Sequence, residues 1–193
     1  MRLREVERGD GMANRLLIRF LSMALGMRLP DAARVAFYHK DFFGRPMGAW
    51  TQAAMRGPST WSVGERELMV AMVAKWNSCS FCVGAHGAIA AKVLDRQSVD
   101  ATLEHFRTAP ISNGLKATLE FLEKMTLRPT QLTADDARQV IGAGVSFEAL
   151  TDAISVAAVF NIVTRYADAL DFVIPTPDEF DGAAGMLLKR GYA

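Results

Sequence analysis

Cysteine is almost missing from this chain, with 2 in 193 residues. Two thiols cannot make the several cross-links of a disulfide-stapled domain. A chain of this length does not need them, since surface scaling lets it bury roughly 70% of its unfolded surface. An excess of one charge is missing too: 22 Lys and Arg stand against 21 Asp and Glu, a net of +1. The basic residues are scattered, which excludes the electrostatic footprint of a nucleic-acid binder. No uninterrupted apolar run reaches the ~18 residues of a spanning helix, so no membrane partner is expected. The early greasy stretch from Leu16 to Leu29 is broken by Arg19 and Arg28. It lacks a small-residue cleavage site and reads as a helix rather than a leader, and the expected compartment is the cytoplasm. There is no Gly-rich phosphate loop, nucleophile elbow or haem-attachment motif, and no cofactor is expected.

What is present reads as helix almost throughout. No segment alternates with period two, and Ala, Leu, Met, Glu, Lys and Arg are abundant. All seven prolines (positions 30, 46, 58, 110, 129, 175 and 177) fall where helices would begin or end. The pattern predicts helices near 12–28, 31–43, 47–56, 63–76, 79–94, 99–107, 112–127, 134–143, 147–170 and 178–189. Ser62 with Glu65, and Thr133 with Asp136, have capping-box spacing, and Ser146 suits an N-cap. The expected fold is therefore an all-α bundle in a single domain. Within it, an N-terminal helical segment (1–60) packs on a helical core (61–175), followed by a C-terminal helix (176–193). Segments 62–94 and 133–170 each read as a helical hairpin, an internal repeat with weak residue-level similarity. The stretch from Cys79 to Leu94 is small or apolar on nearly every side and is expected at the centre. Its two interior glycines, Gly84 and Gly87, cost about 1 kcal/mol each against alanine, which packing or function must offset.

The chemistry concentrates in Glu67 and Cys79-x-x-Cys82-x-x-x-His86. Positions i, i+3 and i+7 lie within about 60° on one helix face. With Asn77 or Ser78 as N-cap, Cys79 falls in the first turn, where free N–H groups and the helix dipole favour a thiolate. His86 is one turn beyond Cys82 and could take its proton. Glu67 lies ten residues before Asn77 and His86 nine after it. A chain reversal there sets the carboxylate beside the imidazole as its orienter. Helix position favours Cys79 as the attacking thiol; proximity to His86 favours Cys82.

Glu65-Arg-Glu-Leu68, an apolar helix and then Asn77-Ser-Cys-Ser-Phe-Cys-Val-Gly-Ala-His86 resemble the signature of the carboxymuconolactone decarboxylase superfamily, in its alkylhydroperoxidase D-like, peroxidase-related branch. The run from Phe160 to Asp168 is similar to a second segment of that branch. The resemblance spans roughly 60–170. It implies the AhpD-like helical fold, a homo-oligomer (trimer or hexamer), a hydroperoxide substrate and an external dithiol reductant. By the same resemblance Cys82 is the peroxide-attacking thiolate, Cys79 the resolving thiol, and Glu67 with His86 the proton relay. In alkylhydroperoxidase D itself a histidine stands between the cysteines, where this chain has Phe81.

Other readings compete. Glu67 and His86 could serve a decarboxylase-like lyase with idle thiols. Cys79, Cys82, His86 and Glu67 could instead hold zinc in a non-enzymatic, redox-sensing oligomer, although structural zinc sites usually draw on two separate knuckles. Glu65 and Arg66 read as helix surface, and His39 and His105 as surface or half-buried residues without a catalytic part. Asn161 shares a face with Arg165, which can pair with Asp168 at i+3, as a structural polar cluster. The ten methionines and Trp50, Trp61 and Trp76 read as core or subunit interface.

Overall fold

Ser62 accepts the Glu65 N–H while the Glu65 carboxylate accepts the Ser62 N–H at 2.9 Å. This capping box opens α5 (Val63–Trp76), in which every residue from Arg66 to Ala74 is buried. A helix apolar on nearly all sides belongs at the centre of a core, and α5 is that centre. The sequence expectation gave the place to the next helix, α6 (Ser80–Val93), which buries only Cys82, His86, Ile89 and Ala90. Its small side chains serve close approach: α6 lies along α5 on one side, in the most extensive helix contact of the fold, and meets the C-terminal helix on the other. Burial of Arg66 is a second correction, since its guanidinium reaches the carbonyls of Ala54 and Gly57 at 3.2 and 2.9 Å.

The reversal between α5 and α6 is tight. Asn77 caps the end of α5, its N–H on the Val73 carbonyl at 3.0 Å, and Ser78 takes the left-handed conformation with φ 62°. Cys79 is therefore itself the N-cap of α6, and Cys82 falls in the first turn. Neither Asn77 nor Ser78 caps α6, contrary to the sequence expectation, and Cys79 is not in its first turn. At the far end of the hairpin Gly64 admits Leu94, whose Cγ would lie 2.6 Å from a Cβ at position 64.

The structure is a computed structural model and describes residues 1–192. The remaining helices are α1 (Arg4–Arg8), α2 (Met12–Leu25), α3 (Asp31–Tyr38), α4 (Arg45–Arg56), α7 (Arg96–His105), α8 (Asn113–Leu127), α9 (Ala134–Gly142), α10 (Phe147–Leu170) and α11 (Pro177–Arg190). There is no strand among the described residues, so the all-α expectation holds. α1 was not foreseen from sequence. The helix expected over 31–43 breaks at His39, and a wider turn over Lys40–Gly44 follows, closed by the Gly44 N–H on the His39 carbonyl at 2.8 Å. A Cβ at Gly44 would sit 2.8 Å from the Ala36 carbonyl, so glycine permits that break. α2 stops at Leu25 because Gly26 turns left-handed, φ 65°, and returns its N–H to Met23.

By length and composition α10 could cross a membrane. It is instead a core helix lying on α4, α5 and α8, tied to the entry of α5 by the Trp61 indole N–H on the Ala149 carbonyl at 2.8 Å. Beyond it, buried Asp31 accepts the Val173 N–H at 2.8 Å and pairs with Arg28 and Arg34. That fastens the chain to α3 before a capping box of Thr176 and Glu179 starts α11, which covers α6.

Candidate active site

Glu67 and His86 meet as the hairpin register requires: Glu67 Oε2 lies 2.6 Å from His86 Nδ1, with the carboxylate fully buried. A carboxylate can only accept, so Nδ1 donates its hydrogen to Glu67, and in the neutral form of the ring the lone pair is the one on Nε2. Burial pushes the Glu67 carboxyl up. The hydrogen bond and charge of His86, with those of Arg56, outweigh it and hold the group below the ordinary carboxylate range. The ring is steadied by the edge of Phe160, with centroids 4.6 Å apart at 79°.

Two further groups that sequence reasoning missed bind the same carboxylate. Arg56, at the end of α4, donates from Nη2 to Oε1 at 2.7 Å. Tyr192 donates its hydroxyl between Oε1 and Oε2, at 2.9 and 3.0 Å. Burial and the Glu67 charge push the Tyr192 phenol well above its usual value, so it stays a donor. Nothing local in the sequence marks either residue, for they stand 11 and 125 positions from Glu67. A buried carboxylate with one known partner does, however, demand more donors.

Cys79 and Cys82 are buried free thiols with their sulfurs 2.8 Å apart. Ionisation is shared unequally. As a thiol Cys79 donates to Cys82; once ionised it accepts from the Cys82 thiol and backbone N–H, which holds Cys79 below the ordinary thiol range against the opposing effect of burial. Cys82 is held far above that range by its bond to Cys79 and by burial. Among the described residues neither sulfur hydrogen-bonds to His86. The imidazole and Cys82 instead share a wall of one cavity of about 360 Å³, which Cys79 does not line. Phe81, Phe160, Phe180 and Tyr192 line it, together with residues of α3 and α4 such as Ala36 and Met47. Phe81 stands edge-on to Phe172 at 5.2 Å and near Phe180 at 6.0 Å. Its position between the cysteines is thus part of an aromatic lining.

No three His, Cys, Asp or Glu side chains gather with metal-site geometry among the described residues. That goes against the zinc alternative, in which Glu67, His86 and both thiols would converge. Asn161 joins a polar cluster, accepting from Asn77 at 2.9 Å and donating to the Ala157 carbonyl at 2.9 Å. Arg165 is exposed and makes no ion pair with Asp168 among the described residues, contrary to the i+3 expectation. His39 and His105 are both exposed, and neither lines this cavity.

An all-helical chain with this hairpin has the AhpD-like fold. Two structures of uncharacterized peroxidase-related proteins share it. The one from Silicibacter sp. TM1040 has 23% identity and a TM-score of 0.77 over 94% of each chain. The AhpD-core protein from Ralstonia eutropha JMP134 has 24% identity and a TM-score of 0.73, covering 89% of this chain and 88% of the other. The debrominase Bmp8 is similar as well, with 18% identity and a TM-score of 0.71 over 91% of this chain and 94% of its own. No protein-family model and no curated protein matches the sequence.

Proposed function

We propose that this chain is a thiol-dependent peroxidase, a thiol–disulfide oxidoreductase that reduces hydroperoxides through Cys82 and Cys79 with Glu67 and His86 as proton relay. The observation that carries the reading is a buried dithiol at contact distance, beside a cavity whose wall also bears a carboxylate-oriented imidazole. Of the pair Cys79 is the more acidic thiol, while Cys82 is the sulfur that faces the cavity. A hydroperoxide entering there meets Cys82. The sulfur gives an electron pair to the distal oxygen, the O–O bond breaks and Cys82 becomes a sulfenic acid. The Cys82 proton passes to Nε2 of His86 or to Cys79, and the departing alkoxide takes a proton to leave as an alcohol. Cys79 then attacks the sulfenic sulfur, releasing water and closing the disulfide. An external dithiol, itself oxidised to a disulfide, restores both thiols.

The fold likeness to peroxidase-related proteins is in keeping with this reading, and the debrominase shows that the scaffold carries other chemistry. The site residues, the reductant, a trimeric or hexameric assembly and cytoplasmic residence belong to the proposal.

The test is a thiol count with intact mass before and after one equivalent of cumene hydroperoxide. Both thiols should vanish with a loss of two mass units. Cys79→Ser should stop at one added oxygen, trappable by dimedone, and Cys82→Ser should not react. Multiple turnover by Cys82→Ser would overturn the assignment. Activity that survives alkylation of both cysteines would point to acid–base lyase chemistry at Glu67 and His86 instead.

A further inference from the structure

The carboxyl torsion of a glutamate is soft and roughly two-fold, so a carboxylate that must aim an imidazole needs an external lock. Arg56 holds one oxygen of Glu67 and His86 occupies the other, which leaves rotation about the Cγ–Cδ bond opposed by two bonds on opposite corners. Tyr192 is placed differently. Its hydroxyl is nearly equidistant from both oxygens, at 2.9 and 3.0 Å, and 3.4 Å from His86 Nδ1.

The segment after α11 is built to deliver that hydroxyl. Gly191 turns left-handed, φ 73°, in a space where a Cβ would lie 2.3 Å from Gln52 Oε1. The same Gln52 oxygen accepts the Tyr192 N–H at 2.7 Å. Gly48 opens the facing side of α4, since a Cβ there would stand 3.2 Å from the Tyr192 carbonyl. The phenol ring then lies nearly parallel to the imidazole, with centroids 6.2 Å apart at 21°, and under the Arg56 guanidinium at 4.9 Å.

We propose that Tyr192 is a positioning residue for the reaction: by bridging both oxygens of Glu67 it locks the carboxylate, and through it holds the Nε2 face of His86 toward Cys82 and the cavity. This role rests on the thiol-peroxidase reading and adds to it that the end of α11 completes the site. Tyr192 does not touch the reacting sulfur, so its effect passes through Glu67 and His86.

Tyr192→Phe keeps the ring over His86 and beneath Arg56 and removes only the hydroxyl. Two measurements on the 193-residue chain test it: the second-order rate of Cys82 oxidation by cumene hydroperoxide across pH, and the ¹⁵N resonances of His86. The rate should fall about tenfold, the size expected for one lost hydrogen bond to a charged group. The charged and titratable groups facing Glu67 are Arg56 from α4, His86 from α6 and Tyr192 itself. With one donor gone the carboxylate protonates more readily, so the acid limb of the rate profile should move to higher pH. The His86 nitrogens should shift toward a mixture of tautomers. A purely structural role would lower the melting temperature and leave the His86 resonances and the pH profile in place. An unchanged rate with unchanged His86 resonances overturns the proposal. If the wild-type chain consumes no hydroperoxide, the peroxidase reading fails by itself, and the His86 resonances, which need no turnover, still decide whether Tyr192 sets the imidazole.

Discussion

Phe180 packs directly on the bare face of Gly84: a Cβ at position 84 would lie 2.4 Å from the ring's Cε2. Gly87, one turn on, has only Leu103 nearby, 3.5 Å from where its Cβ would be. The two interior glycines of α6 thus have different reasons for being there. Gly84→Ala should cost about 1–3 kcal/mol by overpacking against α11 and should drive Phe180 into the cavity it lines. Gly87→Ala should be neutral or stabilise by up to about 1 kcal/mol from helix propensity. Chemical denaturation of both variants checks the pair. Equal and opposite signs are not required, but a destabilised Gly87→Ala beside an unaffected Gly84→Ala would contradict the packing argument.

Arg56 is the cation that neutralises buried Glu67, with its own side chain only 11% exposed. Removing it alone strands a buried carboxylate, and Arg56→Met should destabilise the fold by about 3–5 kcal/mol. Adding Glu67→Gln to that variant should recover much of the loss, because no uncompensated charge then remains. A double-mutant cycle by urea unfolding measures the coupling, and additive losses would show that the pair is not energetically joined.

Acid should expose the same carboxylate. Its folded-state pKa lies below the ordinary value, chiefly because the bond and charge of His86 and then of Arg56 overcome burial. Its contribution is therefore present above the unfolded value of about 4.3 and is lost as pH falls through the folded one. Wild type should lose stability relative to Glu67→Gln on acidification below about pH 5, and the two should converge once Glu67 is protonated. Thermal melts from pH 7 to pH 3 give the comparison; parallel curves throughout would refute it.

The sulfurs make a separate prediction. Cys79 ionises below the usual thiol range mainly because its thiolate can accept from the Cys82 thiol. In Cys82→Ala that donor is gone while burial stays, so the Cys79 thiol should titrate at higher pH than the first thiol of wild type. Thiolate absorbance at 240 nm follows both. A Cys79 that ionises as readily without Cys82 would mean that the helix N-terminus, not the partner sulfur, sets its acidity.

Much of the architecture was legible in the residues because its causes are local. The capping boxes at Ser62 and Thr133 and the apolar periodicity of α5 and α10 depend on neighbours within a turn or two, and both helices fall on the expected residues, 63–76 and 147–170. The Glu67–His86 contact was legible for a related reason. Once the chain reverses at Asn77 and Ser78, counting outward from the turn fixes which residues face each other along two packed helices. Composition misplaced the centre, because small residues in α6 signal close approach as readily as full burial.

The residues themselves thus determined an all-helical chain, the ends of α5 and α10 and a Glu–His–dithiol hairpin. Tertiary packing alone decided that Arg56 and Tyr192 converge on Glu67, that Cys82 rather than Cys79 faces a cavity, and that Phe81 lines it. Those contacts join segments whose relative placement follows from how whole helix faces fit together, and no local period or spacing carries that information.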